Sequence, residues 1–247
     1  MIQIPMNSSP IYNRTTVLSM NKPPTKPYSK ATIGNIGKKQ AAVVTALQEF
    51  KPAKMPSLKM PDLLNVLHKG QKMPIDPSGR GVSRIKACFG WNISDQRCDL
   101  DASAFLIGAN GRVHDDSWFV FYGQPESPDG SVKFMVNSGS IDRETIYIDL
   151  KKVNPIVTKI VFVLTINEAF EQNLNFSMVT DTYVRILEDA SNKELMSYRL
   201  EENYANVTSM TVAELYLHNG AWKFNPVGNG IHDDLAGQCS KYGVQIG

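Results

Sequence analysis

Apolar and polar positions change rhythm twice along this chain. From Met1 to Lys30 there is no apolar period at all: Pro, Ser, Asn and Thr alternate with scattered Lys, a composition that buries too little surface to offset the entropy of ordering. This stretch is expected to be disordered. Over residues 38–50, KKQAAVVTALQEF, Val43, Leu47 and Phe50 recur at helical spacing among good helix formers, which predicts a short amphipathic helix. Pro52, Pro56 and Pro61 then impose extended pieces. The apolar stripe Leu63, Leu64 and Leu67 leads into the second regime.

Beyond it the period is two, or the run is continuously apolar, in short segments separated mostly by Gly, Pro, Asn or Asp. Strands are predicted at 85–91, 100–107, 118–122, 131–136, 145–150, 159–166, 183–188, 195–200, 211–218 and 221–225. Asn110-Gly111 and Asn219-Gly220 both carry the residues of a two-residue type I′ hairpin. The polar run 167–181 suits a loop with one short helix around 175–180. Residues 231–242 read as a closing helix stopped by Gly243 in the left-handed conformation. Strands arriving without regular helix alternation predict an all-β fold, an antiparallel β-sandwich with one or two short helices. The division expected is a basic extension, 1–62, and one β-sandwich domain, 63–247.

Charge sharpens that division. The formal net charge of the 247 residues is +2, yet residues 1–60 hold nine Lys or Arg against Glu49 alone, leaving 17 basic and 23 acidic groups for the remainder. A basic arm suits an anionic surface, a protein or, with nothing specific in its favour, nucleic acid. Cys88, Cys98 and Cys239 are odd in number and lack CxxC or zinc spacing, which points to reduced thiols and a cytoplasmic location. No run approaches the ~18 apolar residues of a transmembrane helix, and no signal-peptide core follows Met1.

Candidate chemistry concentrates in residues 97–132. Asp99 and Asp101 stand two apart, so on a strand both leave one face, where they repel unless a counter-charge is present. Asp115, Asp116 and Asp129 add carboxylates on neighbouring loops. Hard oxygen donors clustered on loops suit Ca²⁺, which takes ~6 to 8 oxygens; equally, Asp is a common turn former. The chain contains no HExxH, GxSxG, GxGxxG or P-loop pattern, and His68, His114, His218 and His232 are scattered, so it is read as non-catalytic.

Four ordered blocks carry a resemblance: Gly90-Trp91-Asn92, Asp99 to Phe105 (DLDASAF), Phe119 to Tyr122 (FVFY) and Ser127 to Val132 (SPDGSV). Together they resemble the TerD-type tellurium-resistance domain family. The resemblance implies a β-sandwich acting in a stress response and acidic loops that hold Ca²⁺, often two ions. It carries Asp99, Asp101 and Asp129 over as ligands, with Asn137, Asp142 and Glu144 in the span that corresponds to the family's second acidic run. That span, VNSGSIDRE, is shorter and less acidic than the family pattern, and Arg143 stands between Asp142 and Glu144. One ion is therefore expected rather than two, bound in the ~10⁻⁵ to 10⁻³ M range. Asn167-Glu168 is a further departure, since many relatives place His-Asp there. Two alternatives remain open at this stage: an interaction protein with a degenerate metal site, recruited to an anionic surface by its basic arm, and an enzyme with a Ca²⁺-organised acidic cleft.

Overall fold

The computed structural model describes residues 56–137, 141–201 and 204–245. The expected disordered stretch and the expected helix at 38–50 lie outside the described residues. Among the described residues, eleven strands form two antiparallel sheets. The larger holds β1 (Met73–Pro74), β11 (Ala221–Ile231), β10 (Ser209–His218), β7 (Lys159–Ile166), β3 (Leu100–Ile107) and β4 (Phe119–Val120), in that spatial order. The smaller runs β5 (Val132–Val136), β6 (Glu144–Asp149), β2 (Arg84–Ile93), β8 (Val179–Glu188) and β9 (Glu194–Arg199).

The core fills the space between the sheets. On β2, Ile85, Ala87 and Phe89 are buried at alternate positions, and on β6 Ile146 and Ile148 join them. Phe89 meets Phe162 of β7 edge to face across the interior, ring centroids 5.7 Å apart. Strand β3 is buried throughout, and β7 at every residue after Lys159, not at every second one. One cause is the helix α2 (Leu235–Tyr242), which lies on the outer side of this sheet: the Tyr242 ring packs 4.7 Å from Phe105, and Gln238 donates to Ser209 Oγ at 2.9 Å. A sheet covered on both faces needs apolar residues on both. Asp234 caps α2 by accepting from the Gly237 N–H, and Gly243 ends it at φ 84°.

Strands β3 and β7 match the expected bounds; β1 is not among the expected strands, β11 runs to Ile231 where 221–225 is expected, so that the closing helix starts only at Leu235, and elsewhere the ends shift by one to four residues. The strand expected at 118–122 is short because a 3-10 turn, Asp116–Trp118, capped by Asp115, takes its first residue, and a tight turn closed by the Phe121–Gln124 backbone bonds takes its last two. The loop after β7 holds one helical turn, α1 (Ala169–Gln172), and a 3-10 turn, Phe176–Met178. Asn219 and Gly220 both have positive φ, 51° and 76°, as a type I′ turn requires. Asn110-Gly111 does not form one: only Gly111 is left-handed, Asn110 Oδ1 instead accepts from the Arg112 N–H, and the loop closes where the Gly108 N–H donates to the Arg112 carbonyl, over the three residues between them. Among the described residues no helix is long and apolar enough to cross a membrane.

Candidate functional site

Register decides what gathers around Asp101. On β3 and β7, Asp101 stands opposite Thr165, and the Asn167 N–H donates to the Asp99 carbonyl at 2.8 Å. Residues facing each other across an antiparallel pair, and those two apart along one strand, share a face. Asp99, Asp101, Thr165 and Asn167 therefore line one patch at the start of β3 and the end of β7. Strand β4 pairs only with Ala104 and Phe105, so the edge of β3 at Ala102 has no strand beside it. Glu144, at the start of β6 in the other sheet, fills that gap: its Oε2 accepts from the Ala102 N–H at 2.6 Å.

The result is an acidic trio of two buried carboxyls, Asp101 and Glu144, and a half-buried one, Asp99. Asp101 and Glu144 are 4% and 5% exposed, too little for water to screen them. Burial raises the Asp101 carboxyl well above its ordinary value, and the charges of Glu144 and Asp99 raise it further. Burial likewise pushes Glu144 up to about 8; the Ala102 N–H opposes this, Asp99 adds to it, and Arg143 offsets part. Asp101 Oδ2 and Asn167 Oδ1 are buried with no hydrogen-bond partner. An acceptor left so costs about 1–3 kcal/mol, which makes a cation or a proton at this place favourable. The donor set is hard oxygen only, as Ca²⁺ prefers. Among the described residues, no group of three His, Cys, Asp or Glu side chains is placed so that it could hold a metal ion as it stands.

Of the six expected ligands, then, the structure brings together Asp99, Asp101 and Glu144. The other three are engaged elsewhere. Asp129 holds its own turn: Oδ1 accepts from Ser127 Oγ, Ser131 Oγ and the Ser131 N–H, and Oδ2 accepts from the Asn154 N–H at 2.8 Å. Asp142 forms a two-pronged pair with Arg185 (2.9 and 2.7 Å) and accepts from Tyr183 Oη. Asn137 donates to Thr145 Oγ1. Asp115 and Asp116 are structural as well, the first capping the 3-10 turn and the second accepting from the Gln245 N–H. Arg143 turns its guanidinium to the carbonyls of Trp91 (2.6 Å) and Pro56 (3.0 Å). Thr165 and Asn167 were not among the expected residues; the signal for them is the β3–β7 pairing, which the four apolar residues 161–164 opposite DLDASAF suggest only once that register is known.

Other chemistry is quiet. Cys88, Cys98 and Cys239 are free and buried, and burial raises all three thiols, Cys88 and Cys98 to about 11, so none is a ready thiolate. A groove of about 490 Å³ on the outer face of the smaller sheet, between Tyr147, Met135 and Arg84, contains no member of the trio. Its Lys133 and Lys152 are paired with Glu126 and Asp149.

A two-sheet antiparallel sandwich with a buried carboxylate cluster at the free edge of one sheet is thus the class of the molecule. The TerD domain family model matches residues 64–242, and the chain belongs to that family. It is 35% identical over 189 residues to general stress protein 16U of Bacillus subtilis (strain 168), covering 73% of this chain and 98% of that one. It is 37% identical over 185 residues to tellurium resistance protein TerD of an Alcaligenes species, covering 72% and 96%. The crystal structure of a telluride resistance protein (TerD) homologue from Streptomyces coelicolor A3(2) shares the fold, with a TM-score of 0.50 at 24% identity over 63% of this chain and 94% of that one.

Proposed function

We propose that this chain is a non-catalytic calcium-binding module of a stress response; the names of its relatives support the stress-response part alone. Asp99, Asp101 and Glu144 would hold one ion, and its charge would replace the protons that the buried pair otherwise retains. The observation that carries this reading is the partnerless Asp101 Oδ2 beside Glu144. Titrating Ca²⁺ into chelator-treated protein tests it, by calorimetry and by melting temperature. At ~100 times the dissociation constant, binding to the folded state adds ~2.7 kcal/mol, several degrees for a domain of this size. Mg²⁺ is expected to substitute poorly, because it demands tighter octahedral geometry. A melting temperature unmoved by ~10 mM Ca²⁺ in both wild type and Asp101→Asn would favour the interaction-protein reading instead. The commitment of Asp129, Asn137 and Asp142 to other partners supports that second reading.

A further inference from the structure

Pairing between β3 and β7 reaches one residue past the end of β7. Asp101 faces Thr165 and Leu100 faces Ile166, and the next N–H, that of Asn167, donates to the Asp99 carbonyl at 2.8 Å. Asn167 therefore stands opposite Asp99 on the face that Asp101 shares. Opposite side chains of an antiparallel pair start about 5 Å apart and diagonal ones about 7 Å apart, so both carboxylates are within reach of the Asn167 amide. Past Asn167 the chain turns at once: Glu168 takes a left-handed φ of 50°, and Ala169, the first residue of α1, is buried. Asn167 is thus fixed from both sides, and only 5% of it is exposed.

The Asn167 Oδ1 atom is buried without a hydrogen-bond partner, as is Asp101 Oδ2 on the same face. With the carboxylate ionised both atoms are acceptors, and neither can satisfy the other. A cation between them satisfies both. An Asn amide oxygen is an ordinary Ca²⁺ ligand, and being neutral it adds nothing to the repulsion among the three carboxylates. Glu168, the adjacent acidic residue, is engaged with its own helical turn, where its Oε2 accepts from Gln172 Nε2 at 2.9 Å.

We propose that Asn167 is a fourth protein ligand of the ion at the trio, through Oδ1. This role rests on the calcium-binding reading of Asp99, Asp101 and Glu144 and extends it to a residue of a different chemical type. Three carboxylates already outweigh the charge of a divalent ion, so what a further ligand supplies is an oxygen and not a charge. Asn167 supplies it from a backbone position that the β3–β7 register fixes in advance.

Full-length wild type, Asn167→Leu and Asn167→Asp are compared by calorimetric titration with Ca²⁺. Tb³⁺, a luminescent ion that also takes oxygen ligands, then replaces Ca²⁺, and its decay rates in H₂O and D₂O count the waters left on the ion. Leu resembles Asn in size but offers no oxygen. It should lose roughly tenfold or more in Ca²⁺ affinity and add a water to bound Tb³⁺. Asp keeps an oxygen at the same place and should do neither. A Leu variant with wild-type affinity and water count would overturn the assignment of Asn167 while leaving the calcium reading standing. So would a Leu variant that melts lower by the same amount in chelator and in Ca²⁺ with its affinity unchanged, because the amide would then hold the loop and not the ion. If the Leu variant does not fold, Asn167→Ala is judged by the same affinity and water count. A wild type that binds neither ion would overturn the reading of the trio itself, and the role of Asn167 with it.

Discussion

A carboxyl buried beside two others gives up its proton late, and this sets how Asp101 and Glu144 respond to pH. Both have folded-state pKa values above their unfolded ones, Glu144 at about 8 against 4.5, chiefly through burial. Their contribution is therefore fully present below the unfolded values and is lost as pH rises through the folded ones. The calcium-free protein should lose stability between about pH 5 and pH 8, by an amount on the order of a few kcal/mol, because each tenfold difference in proton affinity between the folded and unfolded chain is worth ~1.4 kcal/mol. An ion bound at the trio, as proposed, would compete with those protons, so its stabilising effect should grow over the same window. Scanning calorimetry in buffers from pH 5 to pH 8, with chelator and with Ca²⁺, reads both trends. Glu144→Gln keeps an oxygen for the Ala102 N–H while removing the charge, so it should flatten the chelator curve and abolish the calcium response. A chelator curve already flat in wild type would show that water reaches the trio.

At the scale of elements, two neighbouring carboxylates offer contrasting controls. Burial alone would raise Asp129, but the hydroxyls of Ser127 and Ser131 and the N–H groups of Ser131 and Asn154 outweigh it and leave the carboxyl below its ordinary 3.8. Its stabilising effect is thus present above that value and lost as pH falls through the lower, folded one. Asp129→Ala should cost about 2 kcal/mol by urea denaturation, because it frees the turn into β5. Asp142→Asn breaks the Arg185 pair, in which both side chains are mostly buried, and should cost about 3 kcal/mol. Both variants should keep the full calcium response; loss of it in either would place that residue back among the ligands. These carboxylates show where sequence reasoning stopped. Strands β3 and β7 and the closing helix were legible because apolar period and capping residues are local signals. That Asp99 and Asp101 share a face is legible from their spacing and the family pattern; that Glu144 and not Asp129 stands beside them is not, since Glu144 arrives from the other sheet. Asp129 and Asp142 looked like ligands because a turn-forming or ion-paired Asp has the same letter as a metal-binding one. Asn167 was passed over because its place beside Asp99 depends on pairing 68 residues apart.

For the whole molecule, charge separation along the chain makes the strongest claim. Residues 1–55 carry eight basic groups against Glu49, while the domain beyond residue 60 is acidic on balance. An arm of that charge meets an anionic surface with ~1 kcal/mol per Lys or Arg close to it, an attraction that falls off within a Debye length of ~10 Å at 0.1 M salt. The domain contributes repulsion. Full-length protein should therefore bind vesicles containing phosphatidylserine at ~50 mM salt and lose roughly tenfold or more in affinity by ~200 mM. A chain beginning at Pro56 keeps every residue that the structure describes, so it should melt as the full-length protein does while binding no vesicles. Calcium should leave the full-length binding nearly unchanged if its ion sits at the trio, because Asp101 and Glu144 are buried from the surface. Co-sedimentation of both chains with and without ~1 mM Ca²⁺ separates the cases. Equal vesicle binding by the two chains would mean that the domain, and not the basic arm, makes the contact, and that the charge division has no part in where this protein goes.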